Sequence, residues 1–195
     1  IEDISRKIVS DFNYLNYNSV YDWLDQYYES LINKDVSFDL YKNIKNLSVL
    51  EIGPGMGFNA LIYEKVLDKE IYFFDFEEVL DIQKKILINF NELTKKINFF
   101  SDIKLLKEKL RNKNYFITSY WAFTEFNLED RNKFLEVIKN AQFSMFLSNN
   151  EFENVNNELF FYELSKKVNK NLLVIPFKKK NQRGFTKRHN YYILN

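Results

Sequence analysis

The sequence predicts an α/β domain built on a mostly parallel seven-stranded sheet with helices on both faces and a C-terminal antiparallel hairpin. Two observations carry that expectation. Short runs rich in β-branched and aromatic residues alternate with amphipathic helical runs along most of the chain. The rhythm then changes: Leu172–Phe177 and Asn190–Leu194 are apolar runs with no room for a helix between them, so they should pair antiparallel.

In order, residues 3–33 suggest two helices. Ser19 can cap the second, which carries Trp23, Leu24, Tyr27, Tyr28 and Leu31 on a broad apolar face. This segment, to about residue 40, is expected either to cover the mouth of a site or to shield the sheet. The core should span 47–195, making one domain with it. Leu47–Ile52 is the first strand, followed by a glycine loop and a helix from about Asn59 to Leu67. Ile71–Phe76 is the second strand. In the next helix Val79, Ile82, Ile86, Phe90 and Leu93 fall at spacings of 3, 4, 4 and 3, one helical face. Ile97–Phe100 is the third strand, and Leu105, Leu106 and Leu110 mark another helix. Tyr115–Tyr120 is the fourth strand. Asn127 can cap the helix after it, with Phe134, Leu135 and Ile138 inward. Phe143–Ser148 is the fifth strand and Asn157–Val168 a further helix.

Composition narrows the chemistry. With 46% hydrophobic and 28% charged residues, the 195-residue chain has the balance of a globular protein, and its 20 Phe and 13 Tyr predict an aromatic core. A net charge of +1 implies no global attraction to nucleic acid or anionic membrane. Zero cysteines exclude disulfides, thiolate metal sites and a cysteine nucleophile, and one histidine excludes a zinc site of several imidazoles, so no metal is expected. No apolar run approaches the ~20 residues that span a bilayer, and no signal-peptide pattern opens the chain. A cytoplasmic enzyme is expected. The chain begins at Ile1 rather than Met, the pattern of a trimmed sequence.

Three of the four glycines lie at positions 53, 55 and 57, directly after a buried strand and directly before a helix. So glycine-poor a chain clusters them where the backbone must turn tightly and approach a ligand closely. A dinucleotide loop would offer its N–H groups to a pyrophosphate. Here Glu51 ends the strand at the loop, a poor neighbour for phosphate but a good one for a positively charged ligand.

The run Glu51-Ile-Gly-Pro-Gly-Met-Gly57 resembles the first motif of class I S-adenosylmethionine-dependent methyltransferases. That resemblance implies a Rossmann-like fold and S-adenosyl-L-methionine as cofactor, held around Glu51, Gly53, Gly55 and Gly57. It places Asp75, 18 residues past Gly57, on the ribose hydroxyls and Phe76 on the adenine. Asp102, with Ser101, falls where the family sets a polar group near the adenine amine; a helix N-cap is the alternative. Ser119, near the end of the fourth strand, lies where the transferred methyl would sit.

The segment Tyr120-Trp-Ala-Phe-Thr-Glu-Phe126 is similar to a Y/W-A-F-S-E-L stretch of bacterial sugar O-methyltransferases, and Phe74-Asp-Phe-Glu-Glu-Val-Leu80 is similar to their D-x-P-E-V without its Pro. The likeness covers roughly residues 47–150. It implies a sugar or nucleotide-sugar acceptor, in surface-glycan biosynthesis. Members of that group are longer than this chain. The Asn/Asp-Pro-Pro-Tyr motif of amino-directed nucleic-acid methyltransferases is absent, as is the paired-glutamate loop of the arginine enzymes, so no nucleic-acid partner is expected. A sugar hydroxyl is weakly acidic and benefits from a general base. Glu125 and His189 are the candidates. Lys178–Lys180, Arg183, Lys187 and Arg188 form either a solvated basic loop or a cradle for a phosphorylated acceptor. Another small-molecule acceptor, or a non-catalytic binding module, are the rival readings; the intact acids and glycines speak against the latter.

Overall fold

The computed structural model describes residues 46–57, 59–67, 69–89, 96–176 and 189–195. All lie in the compact unit Asn43–Asn195. The expected N-terminal helices and the basic residues between 178 and 188 fall outside the described residues, as do Phe90 and Leu93.

The strands are β1 (Ser48–Ile52), β2 (Ile71–Phe74), β3 (Ile97–Phe100), β4 (Tyr115–Tyr120), β5 (Ser144–Asn149), β6 (Glu151–Phe152), β7 (Val155–Asn156), β8 (Leu172–Pro176) and β9 (His189–Leu194). The helices are α1 (Asn59–Val66), α2 (Glu77–Asn89), α3 (Ile103–Leu110), α4 (Ala122–Glu125), α5 (Leu128–Lys133), α6 (Leu135–Asn140) and α7 (Asn157–Val168). The main sheet has seven strands in the order β3-β2-β1-β4-β5-β9-β8. β1 to β5 run parallel, and β9 lies antiparallel between β5 and β8. The expected mixed α/β architecture with its C-terminal hairpin is present.

All five residues of β1 are buried, as a central strand covered on both faces requires. The strand order reverses between β1 and β4, so the chain leaves their C-terminal ends in opposite directions and opens a crevice there. The core beside β4 and β5 is aromatic. Phe123 meets Phe126, Phe134, Phe146, Phe160 and Phe161 at centroid distances of 4.7–6.4 Å, and Phe161 stacks on Tyr192 at 4.3 Å. Rings at such spacings contribute beyond simple area burial.

Three local expectations change. The inward face of α2 is Leu80, Gln83 and Leu87, not the row through Ile82, which is 51% exposed. The helix is turned so that a polar side chain, Gln83, reaches the glycine loop. Asn127 does cap a helix, its side chain accepting from the Asp130 N–H, but the helix breaks at Phe134 into α5 and α6. Neither the single turn α4 nor the β6–β7 hairpin is apparent in the apolar pattern. The hairpin turns on Glu153 and Asn154, both at positive φ, the geometry a two-residue hairpin needs.

Candidate active site

The crevice begins at the glycine loop. Gly53, Gly55 and Gly57 have φ of +66°, +58° and +79°, left-handed values that other residues avoid. Their surroundings differ. A Cβ on Gly53 would stand 2.0 Å from the Cβ of Ala122, so the loop packs directly on the start of α4. Among the described residues a Cβ on Gly55 would meet nothing within 4 Å, so none of them closes this backbone to an approaching ligand.

Beneath the loop lies Glu51, 1% exposed. The Asn59 side chain donates to its Oε1 at 2.5 Å, while Oε2 has no hydrogen-bond partner among the described residues. Burial pushes its carboxyl up to about 8, against the opposing pull of hydrogen bonds from Asn59 and Tyr63 and with a further push from the Asp75 charge. In β1, Glu51 sits opposite Phe73 of β2 and Thr118 of β4. Thr118 Oγ1 in turn hydrogen-bonds the Tyr63 hydroxyl at 3.0 Å. A buried carboxylate without a charge partner is costly, and a cation brought to it would relieve that cost.

Asp75 follows β2 directly and is half-buried. Its Oδ1 accepts from the Phe76 N–H at 2.9 Å and its Oδ2 from Gln83 Nε2 at 3.3 Å. The same Gln83 amide donates to the Gly55 carbonyl at 2.7 Å. One buried glutamine thus ties the glycine loop to the acid after β2. Burial raises the Asp75 carboxyl, opposed by its bonds from Phe76 and Gln83. Gln83 is absent from the residues expected from sequence; its signal is a single polar residue in an apolar helical row, Leu80-Gln83-Leu87.

Past Asp75 opens a pocket of about 200 Å³, lined by Phe74, Asp75, Phe76, Ser101, Ile103, Phe126, Asp130, Lys133 and Phe134. Phe76 is 66% exposed and meets Phe126 edge-on at 6.4 Å; Phe126 stacks on Phe134 at 6.1 Å. The pocket is a slot with aromatic walls, an acid at its mouth and an ion pair, Asp130–Lys133 at 2.6 Å, on its rim. Phe126 and Phe134 come from beyond β4, so nothing in their local sequence places them beside Asp75.

Two expected binding residues have hydrogen bonds within the fold. Asp102 is the N-cap of α3, its Oδ1 accepting from Lys104 N–H at 2.6 Å. The buried Ser119 hydroxyl donates to the Ile52 carbonyl at 2.8 Å and accepts from Phe123 N–H at 3.0 Å. It joins β4 to β1 and anchors α4.

Across the crevice, α4 is locked to the end of β5. Ser148 Oγ donates to Thr124 Oγ1 at 2.7 Å, and Asn157 Nδ2 donates to Ser148 Oγ and the Asn149 carbonyl. Arg131, 1% exposed, donates to the carbonyls of Thr124 and Phe126 and to Asn157 Oδ1, with its guanidinium 4.8 Å from the Phe160 ring centre. Held by neutral acceptors, this buried cation pins the segment from α4 to α5. At the crevice edge Trp121 donates its indole N–H to His189 Nδ1 at 3.2 Å. Asn149 faces His189 in the β5–β9 ladder, its Oδ1 buried without a hydrogen-bond partner among the described residues. Asn190 Nδ2 donates to Asn150 Oδ1 at 2.9 Å. Glu125 is exposed, one helical turn from Trp121. Among the described residues no cluster of His, Asp and Glu forms a metal site, and no helix is long and apolar enough to cross a membrane.

The sequence matches no family model and no curated protein sequence. In three dimensions the chain is similar to the methyltransferase domain of the bacterial protein CtHen1 (TM-score 0.61, 14% identity, 80% of this chain and 92% of that one). It is similar to an S-adenosylmethionine-dependent methyltransferase from Clostridium acetobutylicum (0.56, 13%, 90% and 98%). An rRNA methylase from Streptococcus thermophilus also superposes (0.56, 11%, 78% and 89%). Likeness at these identities establishes the architecture: this chain has the Rossmann-like fold of the class I methyltransferases.

Proposed function

We propose that the protein is an S-adenosylmethionine-dependent methyltransferase that transfers the methyl group to a hydroxyl of a sugar or nucleotide-linked sugar. The observation that carries the donor assignment is the arrangement at the switch point. A glycine loop open above Gly55 stands over a buried, half-satisfied Glu51, and Gln83 ties that loop to Asp75. Glu51 would hold the donor's ammonium, Asp75 the ribose hydroxyls by charge-assisted hydrogen bonds, and the Phe76–Phe126–Phe134 slot the adenine. Asp102 lies on the loop that follows β3 beside this slot, and Ser119 supports the wall under the transferred methyl.

S-adenosylmethionine supplies a methyl group already activated on a sulfonium, so the chain's own work is to orient the acceptor and keep the site dry. Among the described residues Asn150 and Trp121 are partly exposed at this corner, an amide and an aromatic face of the kind that hold a polyhydroxyl ligand. Glu125, exposed one helical turn from Trp121, is the residue we assign as the general base that takes the hydroxyl proton.

Calorimetric titration with S-adenosylhomocysteine, beside NADH as control, tests the donor. Binding of S-adenosylhomocysteine alone is expected. Binding of NADH, or of neither, would remove the reading. Methyl transfer to a panel of nucleotide sugars and free sugars then tests the acceptor, with small aromatics and RNA as competing arms.

A further inference from the structure

The donor reading gives the two halves of one ligand to two parts of the chain: the amino-acid half to the glycine loop and Glu51, the nucleoside half to Asp75. We infer that Gln83 is a positioning residue that holds the loop and Asp75 at one fixed separation, so that a single ligand meets both at once. This rests on the donor reading.

The partners explain why the residue is a glutamine. Gly55 offers a carbonyl and Asp75 an ionised carboxylate, and both can only accept. A primary amide nitrogen carries two N–H groups, one for each. Gln83 Nε2 supplies them, at 2.7 Å to the Gly55 carbonyl and 3.3 Å to Asp75 Oδ2. A hydroxyl here would have one proton to give, and a lysine would bring a charge to a place with 0% exposure. The aliphatic stem meets the loop as well: a Cβ built on Gly57 would stand 3.5 Å from Gln83 Cγ and 3.6 Å from its Cβ. One side chain therefore supports the loop beneath two of its left-handed glycines.

The fold fixes Gln83 in turn. Its helix, α2, begins directly after Asp75 and Phe76, and the Leu80 N–H donates back to the Phe76 carbonyl at 3.0 Å. The inner end of the loop is tied to β2, where the Gly53 N–H donates to the Phe74 carbonyl at 2.8 Å. Gly55 lies two residues further out, and Gln83 reaches it from the helix. Gln83 Oε1 is buried with no hydrogen-bond partner among the described residues. An apolar residue in the row of Leu80 and Leu87 would avoid that cost, and what the amide provides against it is the tie between loop and acid.

A ligand with two linked halves binds more tightly than either half only while the two subsites keep the spacing of the link. Without the Gln83 amide, Asp75 still accepts from the Phe76 N–H at 2.9 Å, so the nucleoside half keeps its acid. What is lost is the relation of that acid to the loop.

The test compares S-adenosylhomocysteine with 5′-methylthioadenosine, which has the nucleoside half and lacks the amino acid, by calorimetry on the full chain. Gln83→Met keeps the length of the side chain and removes both N–H groups. S-adenosylhomocysteine affinity should fall about 30-fold in this variant and 5′-methylthioadenosine affinity less than about threefold. Equal losses for the two ligands, or no loss for either, would overturn the inference and leave the donor reading intact. Failure of the unaltered protein to bind S-adenosylhomocysteine would overturn the donor reading and the inference with it. The tie itself can be followed without ligand or variant by labelling the side-chain amides of the four glutamines with ¹⁵N. One amide should keep both protons in slow exchange with water. Fast exchange at all four would overturn the inference, and this result decides if Gln83→Met does not fold.

Discussion

The two sides of the crevice are built by different means. On the β1–β2 side the backbone does most of the shaping, through three left-handed glycines, an acid at the end of each strand and one glutamine that joins them. On the β4–β5–β9 side the shape comes from side chains: Trp121 against His189, Thr124 through Ser148 to Asn157, and Arg131 across neutral acceptors. A backbone-shaped site is constrained by φ and by the absence of a Cβ, so it is written in a short stretch of sequence. A site shaped by side-chain networks depends on residues far apart in the chain and leaves no local pattern.

The sharpest test of the backbone-built side is to compare two of its glycines. Gly53→Ala adds a Cβ 2.0 Å from that of Ala122, at a φ of +66°, so both steric overlap and conformation oppose it. The expected loss is about 3 kcal/mol or more in urea unfolding, a sum of overpacking and left-handed strain. Gly55→Ala bears the conformational cost alone, about 1 kcal/mol, because its Cβ meets none of the described residues within 4 Å. Its larger effect should fall on S-adenosylhomocysteine affinity. Equal stability losses in the two variants would mean that the loop does not pack on α4 as described.

Asp75→Ala should lower S-adenosylhomocysteine affinity by roughly 100-fold, about 2.7 kcal/mol, the scale of two charge-assisted hydrogen bonds. Asp75 is half-buried and accepts two bonds that Gln83 and Phe76 can partly replace with water, so the melting temperature should fall only slightly. Unchanged affinity by calorimetry would remove Asp75 from the ribose role and leave the aromatic slot without its polar end.

The same division explains what was legible in the sequence. The glycine loop and both acids stand out because their spacing is local. The strands stand out because a buried parallel strand must be a continuous apolar run, as Ser48–Ile52 nearly is. Gln83 was hidden because an apolar row through Val79, Ile82 and Ile86 looked equally regular, and only contact with the loop decides which face turns inward. Phe126 and Phe134 line the pocket beside Asp75 although they lie 51 and 59 positions further along the chain, a pairing set by strand order rather than by any motif. Asp102 and Ser119 were visible as polar residues in the right places, but their hydrogen bonds to Lys104, Ile52 and Phe123 appear only in three dimensions.

Glu51 joins the two sides, and its charge can be tested through pH. Its carboxyl is raised to about 8 in the folded protein from an ordinary 4.5, so the folded chain keeps a proton that the unfolded chain releases. Its contribution to stability is fully present below pH 4.5 and is lost as pH rises through about 8. Glu51→Gln removes that loss. At pH 7 the ligand-free variant should be more stable in urea unfolding by on the order of 2 kcal/mol, while binding S-adenosylhomocysteine more weakly. Lower stability at pH 7 together with unimpaired binding would make Glu51 an ordinary structural acid.

The smallest expected effect lies on the side-chain-built half. Glu125 is exposed and belongs to a single helical turn, so Glu125→Gln should leave both stability and S-adenosylhomocysteine affinity where they are. If it removes the hydroxyl proton, turnover on whichever hydroxyl acceptor is found should fall about tenfold, some 1.4 kcal/mol, and the loss should shrink as pH rises and the hydroxyl ionises more readily. The amide keeps the shape of the side chain and removes its charge and its capacity to take a proton. A rate unaffected at every pH would mean that the acceptor loses its proton directly to water. The Trp121–His189 corner would then act by orientation alone.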